Sequence, residues 1–120
     1  MLTVLIVDDD EMVRQTVRGM LADSYHTMEA DSVTSGLQLL SEHHIDLLLA
    51  DLLMPGGNGI EIIQKARRLY PGLKIIAMTG SEDASDRLAD AVVFGAHAVI
   101  GKPFRSKELV ALVATTLGST

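Results

Sequence analysis

The chain has 120 residues, 48% hydrophobic and 22% charged, which suits one folded domain with a sizeable core and excludes a disordered chain. A formal net charge of −6 argues against direct nucleic-acid binding, which needs basic surface to neutralise phosphates. The absence of cysteine removes disulfides, thiolate catalysis and thiolate-held zinc.

The first apolar run, Leu2 to Val7, is β-branched and reads as a strand buried on both faces. It is too short for a signal peptide and ends in acids, and no run approaches the about 20 apolar residues of a membrane span. A cytoplasmic protein without a membrane partner is therefore expected. Asp8, Asp9, Asp10 and Glu11 follow the strand, and Asp10 is placed to cap a helix over Glu11 to Ala22. The apolar stripe of that helix is Met12, Val13, Val17, Met20 and Leu21. His26 to Ala30 is a short second strand. Ser32 is placed to cap a helix through Glu42, with Val33, Leu37 and Leu40 facing inward.

Ile45 to Ala50 is a third strand, and Asp51 stands where it meets the Pro55-Gly56-Gly57 turn. A third helix opens at Asn58 or Gly59, shows helical spacing at Ile60, Ile63, Ala66 and Leu69, and stops at Pro71-Gly72. Leu73 to Thr79 is a fourth strand, 81–94 a fourth helix, and Ala98 to Ile100 a fifth strand. Ser106 is placed to cap the last helix, through Leu117. The four histidines match no zinc-ligand spacing and read as surface or edge residues, and the methionines other than Met1 read as core fill.

β-α alternation repeated five times implies an α/β fold: a parallel sheet with helices on both faces, in one domain over residues 1–120. A parallel sheet sends the carboxyl ends of its strands to one edge, where such folds bind ligands. Asp8 and Asp9, Asp51, Thr79 and Lys102 all fall there. Taken singly, each has an ordinary explanation: a helix-capping acid, a turn-starting Asp, a strand-ending Thr, a solvated loop lysine. Together they place three carboxylates where they repel one another. Mg²⁺ answers that repulsion, because it takes oxygen ligands and leaves room for waters and phosphate. An Asp carboxylate can also act as a nucleophile toward phosphorus. Lys102 then supplies charge, and the Thr79 hydroxyl a hydrogen bond.

With Asp8-Asp9, Asp51 followed by Met54-Pro55-Gly56, Thr79-Gly80 and Lys102-Pro103 in this order, the chain resembles the receiver domain of two-component response regulators. The resemblance implies a flavodoxin-like (βα)5 three-layer sandwich with a five-stranded parallel sheet of order 2-1-3-4-5. It implies Asp51 as phosphoacceptor, with Thr79 and Lys102 as the switch hydroxyl and the phosphate-pairing lysine. It implies Mg²⁺ held by Asp9 directly, by Asp8 largely through water, by Asp51 and by the Leu53 backbone carbonyl. The implied partners are a sensor histidine kinase or phosphotransfer protein, an output domain or downstream protein, and a second copy through the face of the fourth and fifth helices. Such a domain catalyses only its own phosphorylation and dephosphorylation, and is not an enzyme in the usual sense.

Val99, Leu53 and the Gly57-Asn58 pair of the loop after Asp51 depart from the family pattern. Val99 stands where receivers often carry the aromatic ring that changes rotamer on activation, which questions the size of the switch but not the chemistry. Leu53, two residues after the acceptor, cannot orient an attacking water, which predicts a long phosphoryl lifetime. Three other readings compete. A haloacid-dehalogenase-type phosphatase would carry its nucleophile on the first strand and its acidic pair late, the reverse of this order. A flavodoxin-like nucleotide binder would need a phosphate loop where three acids stand. A receiver-like interaction module would need no phosphorylation.

Overall fold

The computed structural model describes residues 1–54, 57–80 and 95–118, with Leu53, Gly57 and Asn58 described at the backbone only. β1 (Thr3–Val7), β2 (His26–Ala30), β3 (Leu47–Asp51), β6 (Lys74–Thr79) and β7 (Ala98–Gly101) form one sheet in the order β2-β1-β3-β6-β7, with every pair parallel. Counted along the sheet's own strands, this is the expected 2-1-3-4-5. Four helices are described: α1 (Glu11–Leu21), α2 (Val33–Glu42), α3 (Gly59–Leu69) and α4 (Ser106–Gly118). The helix expected over 81–94 lies outside the described residues.

The sheet's two faces carry separate cores, as strand alternation requires. Leu5, Val7, Leu48, Ala50, Ile75 and Ala77 face α2 and α3, where they meet Leu40, Ile62, Ile63 and Ala66. Val4, Ile6, Leu47, Leu49, Ile76 and Met78 face the other way and meet Val17 and Leu21 of α1 and Leu109 and Val113 of α4. β3 is buried along its whole length between β1 and β6. Its residues therefore anchor both cores, and truncating Leu48 or Leu49 to Ala removes roughly 2–5 kcal/mol of stability.

The helix starts follow from their caps. The Asp10 carboxylate accepts from the Met12 and Val13 N–H groups, and Ser32 forms a reciprocal capping box with Ser35. The last helix departs from expectation. Ser106 is its first helical residue, and the preceding Arg105 N–H donates to the Glu108 carboxylate at 3.3 Å. A carboxylate three residues on thus serves the helix start in place of a capping hydroxyl.

Four further details differ from the sequence reading. Met12, expected in the apolar stripe of α1, is 76% exposed at the rim of a cleft of about 440 Å³ beside Lys102, Pro103 and Phe104. Leu69 is 56% exposed, although Ala66 three residues earlier is fully buried in the core. Ile45 is buried but precedes β3, which begins at Leu47 and includes Asp51 as its last residue. The turn after Asp51 holds a short antiparallel pair, β4 (Leu53–Met54) with β5 (Gly57–Asn58). The side chains of Asn58, one of the two expected starts of α3, and of Leu53, expected to govern phosphoryl lifetime, lie outside the described residues.

Val99 sits half-buried on the edge strand β7, opposite Ala77. His43 ends α2 and is exposed, His44 pairs with Asp46 at 3.1 Å, and His26 is exposed on the edge strand β2. His97, just before β7, is not merely solvated: its Nδ1 accepts from the Ile75 N–H at 3.0 Å.

Candidate functional site

Asp8 follows β1 directly, and its N–H continues the pairing with β2 by donating to the Ala30 carbonyl at 3.1 Å. Asp51 closes β3, the neighbouring strand, so both carboxylates emerge at one edge. Oxygens from Asp8, Asp9 and Asp51 all lie within 4.8 Å of one another. Asp8 and Asp51 are buried and Asp9 is exposed. The three predicted acids therefore do meet, two below the surface and one facing solvent.

Lys102 reaches the same point from the loop after β7. Its Nζ lies 2.9 Å from Asp8 Oδ2 and 3.5 Å from Asp51 Oδ2. The Lys102 N–H donates to the Thr79 carbonyl at 2.7 Å, and the Lys102–Pro103 peptide bond is cis. Burial alone pulls the ammonium's pKa down. The hydrogen bond to Asp8 and the charges of Asp51 and Asp8 outweigh that, and the net direction is up from 10.5. Lys102 therefore stays charged across the neutral range.

Asp8 is also tied internally, its Oδ1 accepting from the Asp10 N–H at 2.9 Å. Thr79 ends β6, one residue past Met78, the register partner of Asp51. It is fully buried, and its hydroxyl donates to the Gly80 carbonyl at 3.3 Å. It is thus at the expected edge but turned along its own strand. Leu53 follows Asp51 by two residues, within β4.

Gly59 lies directly against the backbone of Asp51 and Leu52. A Cβ on Gly59 would collide with the Asp51 carbonyl oxygen and come within 2.6 Å of Leu52 Cα. The start of α3 thus lies flush against the backbone that carries the acceptor candidate. The sequence marks Gly59 only as a helix start; the close approach to Asp51 is visible in three dimensions alone.

The family profile described as "Response regulator receiver domain" matches residues 4–114. The chain belongs to the response regulator receiver family. This receiver is 36% identical over 107 residues to the transcriptional regulatory protein MalR of Bacillus subtilis, covering 87% of this chain and 45% of that protein. It is 31% identical to the DNA-binding transcriptional regulator NtrC of Azospirillum brasilense, covering 98% of this chain and 24% of that one. The receiver thus spans about half the length of the first relative and about a quarter of the second. Among solved structures it resembles a CheY-like receiver domain protein from Methanospirillum hungatei, with a TM-score of 0.91, 29% identity and coverage of 98% of this chain and 94% of the other. The fold is therefore the flavodoxin-like receiver fold, and the family's two-component role fits the acidic edge. Neither the phosphatase nor the nucleotide-binder reading is favoured. Among the described residues no helix is long and apolar enough to cross a membrane.

The cluster suits the divalent cation that receivers typically bind. Its donors are all hard carboxylate oxygens, and a cationic group, the Lys102 ammonium, already bridges two of them.

Proposed function

We propose that residues 1–120 are one receiver domain, phosphorylated on Asp51 in a Mg²⁺-dependent transfer from a histidine kinase or phosphotransfer protein. The observation that carries this reading is the Lys102 ammonium lying against both Asp8 and Asp51, across strands distant in sequence. It marks where an incoming phosphoryl group would find its counter-charge.

Asp8, Asp9, Asp51 and the Leu53 carbonyl would hold the Mg²⁺. When bound, the ion supplies positive charge beside the transferring phosphoryl oxygens and offsets the mutual repulsion of the acids. An Asp51 carboxylate oxygen attacks phosphorus; the O–P bond forms as the N–P bond of a phosphohistidine breaks. The electron pair leaves with the imidazole nitrogen. Lys102 pairs with an oxygen of the transferred group, and Thr79 turns its hydroxyl from Gly80 toward another. Little more is needed, because such transfers depend mainly on alignment and charge. The domain acts on itself, not on a separate substrate. Its phosphorylated state is passed to an output domain or downstream protein in the cytoplasm, with pairing to a second copy through α4 and the 81–94 segment.

A small acyl-phosphate donor, borohydride reduction and peptide mapping test the assignment. Reduction converts an aspartyl phosphate to homoserine, expected at position 51. Homoserine at Asp8 or Asp9 instead, or at none of them, overturns it.

A further inference from the structure

Asp8 is held at each of its polar groups. Its N–H goes to Ala30, its Oδ1 accepts from the Asp10 N–H, and its Oδ2 accepts from Lys102. Its carbonyl is held as well, by a side chain of α1. β1 ends at Val7, and the Asp8 carbonyl instead accepts from Arg14 Nη1, one turn into α1, at 2.6 Å. A second contact orients the guanidinium: Arg14 Nε donates to Glu29 Oε1 at 3.3 Å. Glu29 stands on β2 opposite Ile6, and its other oxygen accepts from Arg18 Nη1 at 2.8 Å. The Arg14 side chain is only 15% exposed and that of Glu29 25%, so this pair is sheltered from solvent.

We propose that Arg14, oriented by Glu29, is a positioning residue for the divalent-cation site. The inference rests on the Mg²⁺ reading above and adds to it a part of the chain outside the acidic cluster. The Asp8 carbonyl and the Asp9 N–H belong to one rigid peptide plane. Holding that oxygen therefore fixes the direction in which Asp9 leaves the strand. Asp9 most needs such help, since its carboxylate is exposed and makes no hydrogen bond or ion pair among the described residues. Arg is suited to the task because its planar fork serves the carbonyl and the Glu29 carboxylate together, whereas a lysine presents one compact charge.

The direction of the effect separates positioning from two simpler roles. If Arg14 acts only as a nearby charge, removing it tightens cation binding, because a positive group has left the neighbourhood of three acids. If it is only a structural strut, its loss lowers stability and leaves the affinity of the folded protein unchanged. A positioning residue weakens binding when removed.

The experiment is an Mg²⁺ titration followed by amide NMR on wild type, Arg14→Met and Arg14→Lys, with metal-free thermal unfolding recorded alongside. Arg14→Met is expected to weaken Mg²⁺ by about tenfold, the low end of what outer partners contribute to metal affinity. The Asp9 amide should shift in the metal-free spectrum. Arg14→Lys, which keeps the charge but not the fork, should remain weaker than wild type. Unchanged or tighter binding in folded Arg14→Met overturns the proposal. If that variant does not fold, Arg14→Lys decides, wild-type affinity there overturning it. Wild type that binds no Mg²⁺ overturns the metal reading itself, an outcome distinct from the others.

Discussion

Lys102 and Asp8, 94 residues apart in sequence, form a 2.9 Å ion pair in which the Asp8 side chain is fully buried and the Lys102 side chain is a quarter exposed. The same ammonium stands 3.5 Å from Asp51. It therefore competes with a metal ion for the two carboxylates and would pair with an incoming phosphoryl group, so its removal should have opposite effects on the two. In Lys102→Met, Mg²⁺ affinity should hold or rise, because a competing cation has gone. The phosphorylation rate should fall by roughly ten- to a hundredfold, the equivalent of one lost charge-assisted hydrogen bond. Metal titration and a time course with an acyl-phosphate donor check both signs; a variant that loses Mg²⁺ affinity and keeps the rate contradicts this assignment.

Asp9 offers a second pair of opposed effects. Its oxygen lies within 4.8 Å of oxygens on Asp8 and Asp51, with solvent on its other side. Like charges at such spacing in a wet site cost about 0.5–1 kcal/mol. Asp9→Asn should stabilise the metal-free protein by about that amount and weaken Mg²⁺ by roughly tenfold or more, as expected for a lost ligand. Urea unfolding without metal, paired with a titration, reads both; a destabilised variant with normal affinity would sink the idea that Asp9 is kept for the metal.

Gly59 tests the backbone under the acceptor. No side chain fits between it and the Asp51 carbonyl, and its N–H donates to Leu52 at 3.3 Å. Gly59→Ala must push the Asp51–Leu52 segment or the start of α3, and overpacking of this kind costs about 1–3 kcal/mol. Urea unfolding should show that loss, and phosphorylation of the folded fraction should slow. Wild-type stability would mean that the two backbones are not in contact.

His97 gives a pH dependence away from the site. Its pKa is pushed below 6.5 by burial first and then by the charges of Arg67 and Lys74. The Ile75 N–H donates to Nδ1, a bond that protonation of that nitrogen would break. The unfolded chain therefore takes up this proton before the folded one does. His97 contributes its full share of stability above about pH 6.5 and loses it as pH falls through the lowered folded value. His97→Asn, which keeps an acceptor for Ile75, should show a smaller loss of stability between neutral and mildly acidic pH. Equal slopes by urea unfolding would rule the histidine out as the source.

Much of this architecture can be read before any coordinates. The apolar runs at Val4 to Val7 and Leu47 to Ala50 have no polar face, which is the mark of strands covered on both sides. The caps at Asp10 and Ser32 act as their residue types suggest. The acids, Thr79 and Lys102 follow from topology, since parallel strands deliver their ends to one edge. What escapes the sequence is short or long-range. A two-residue ladder such as β4 with β5 is too short to show a period. Met12 matches the helical spacing, but its face opens on a cleft and not on the core. The contacts of Arg14 with Asp8 and Glu29, and of Gly59 with Asp51, depend on how elements dock, which no local pattern encodes.

The proposed chemistry has this acidic edge accept a phosphoryl group on Asp51. Intact mass after treatment with a small acyl-phosphate donor, with and without Mg²⁺, tests it most directly, with Asp51→Asn run in parallel. The expected product is a single phosphate adduct that requires Mg²⁺ and is absent from Asp51→Asn. No adduct on the folded protein under any condition, or an equal adduct on Asp51→Asn, would contradict it and leave a receiver fold that serves interaction alone.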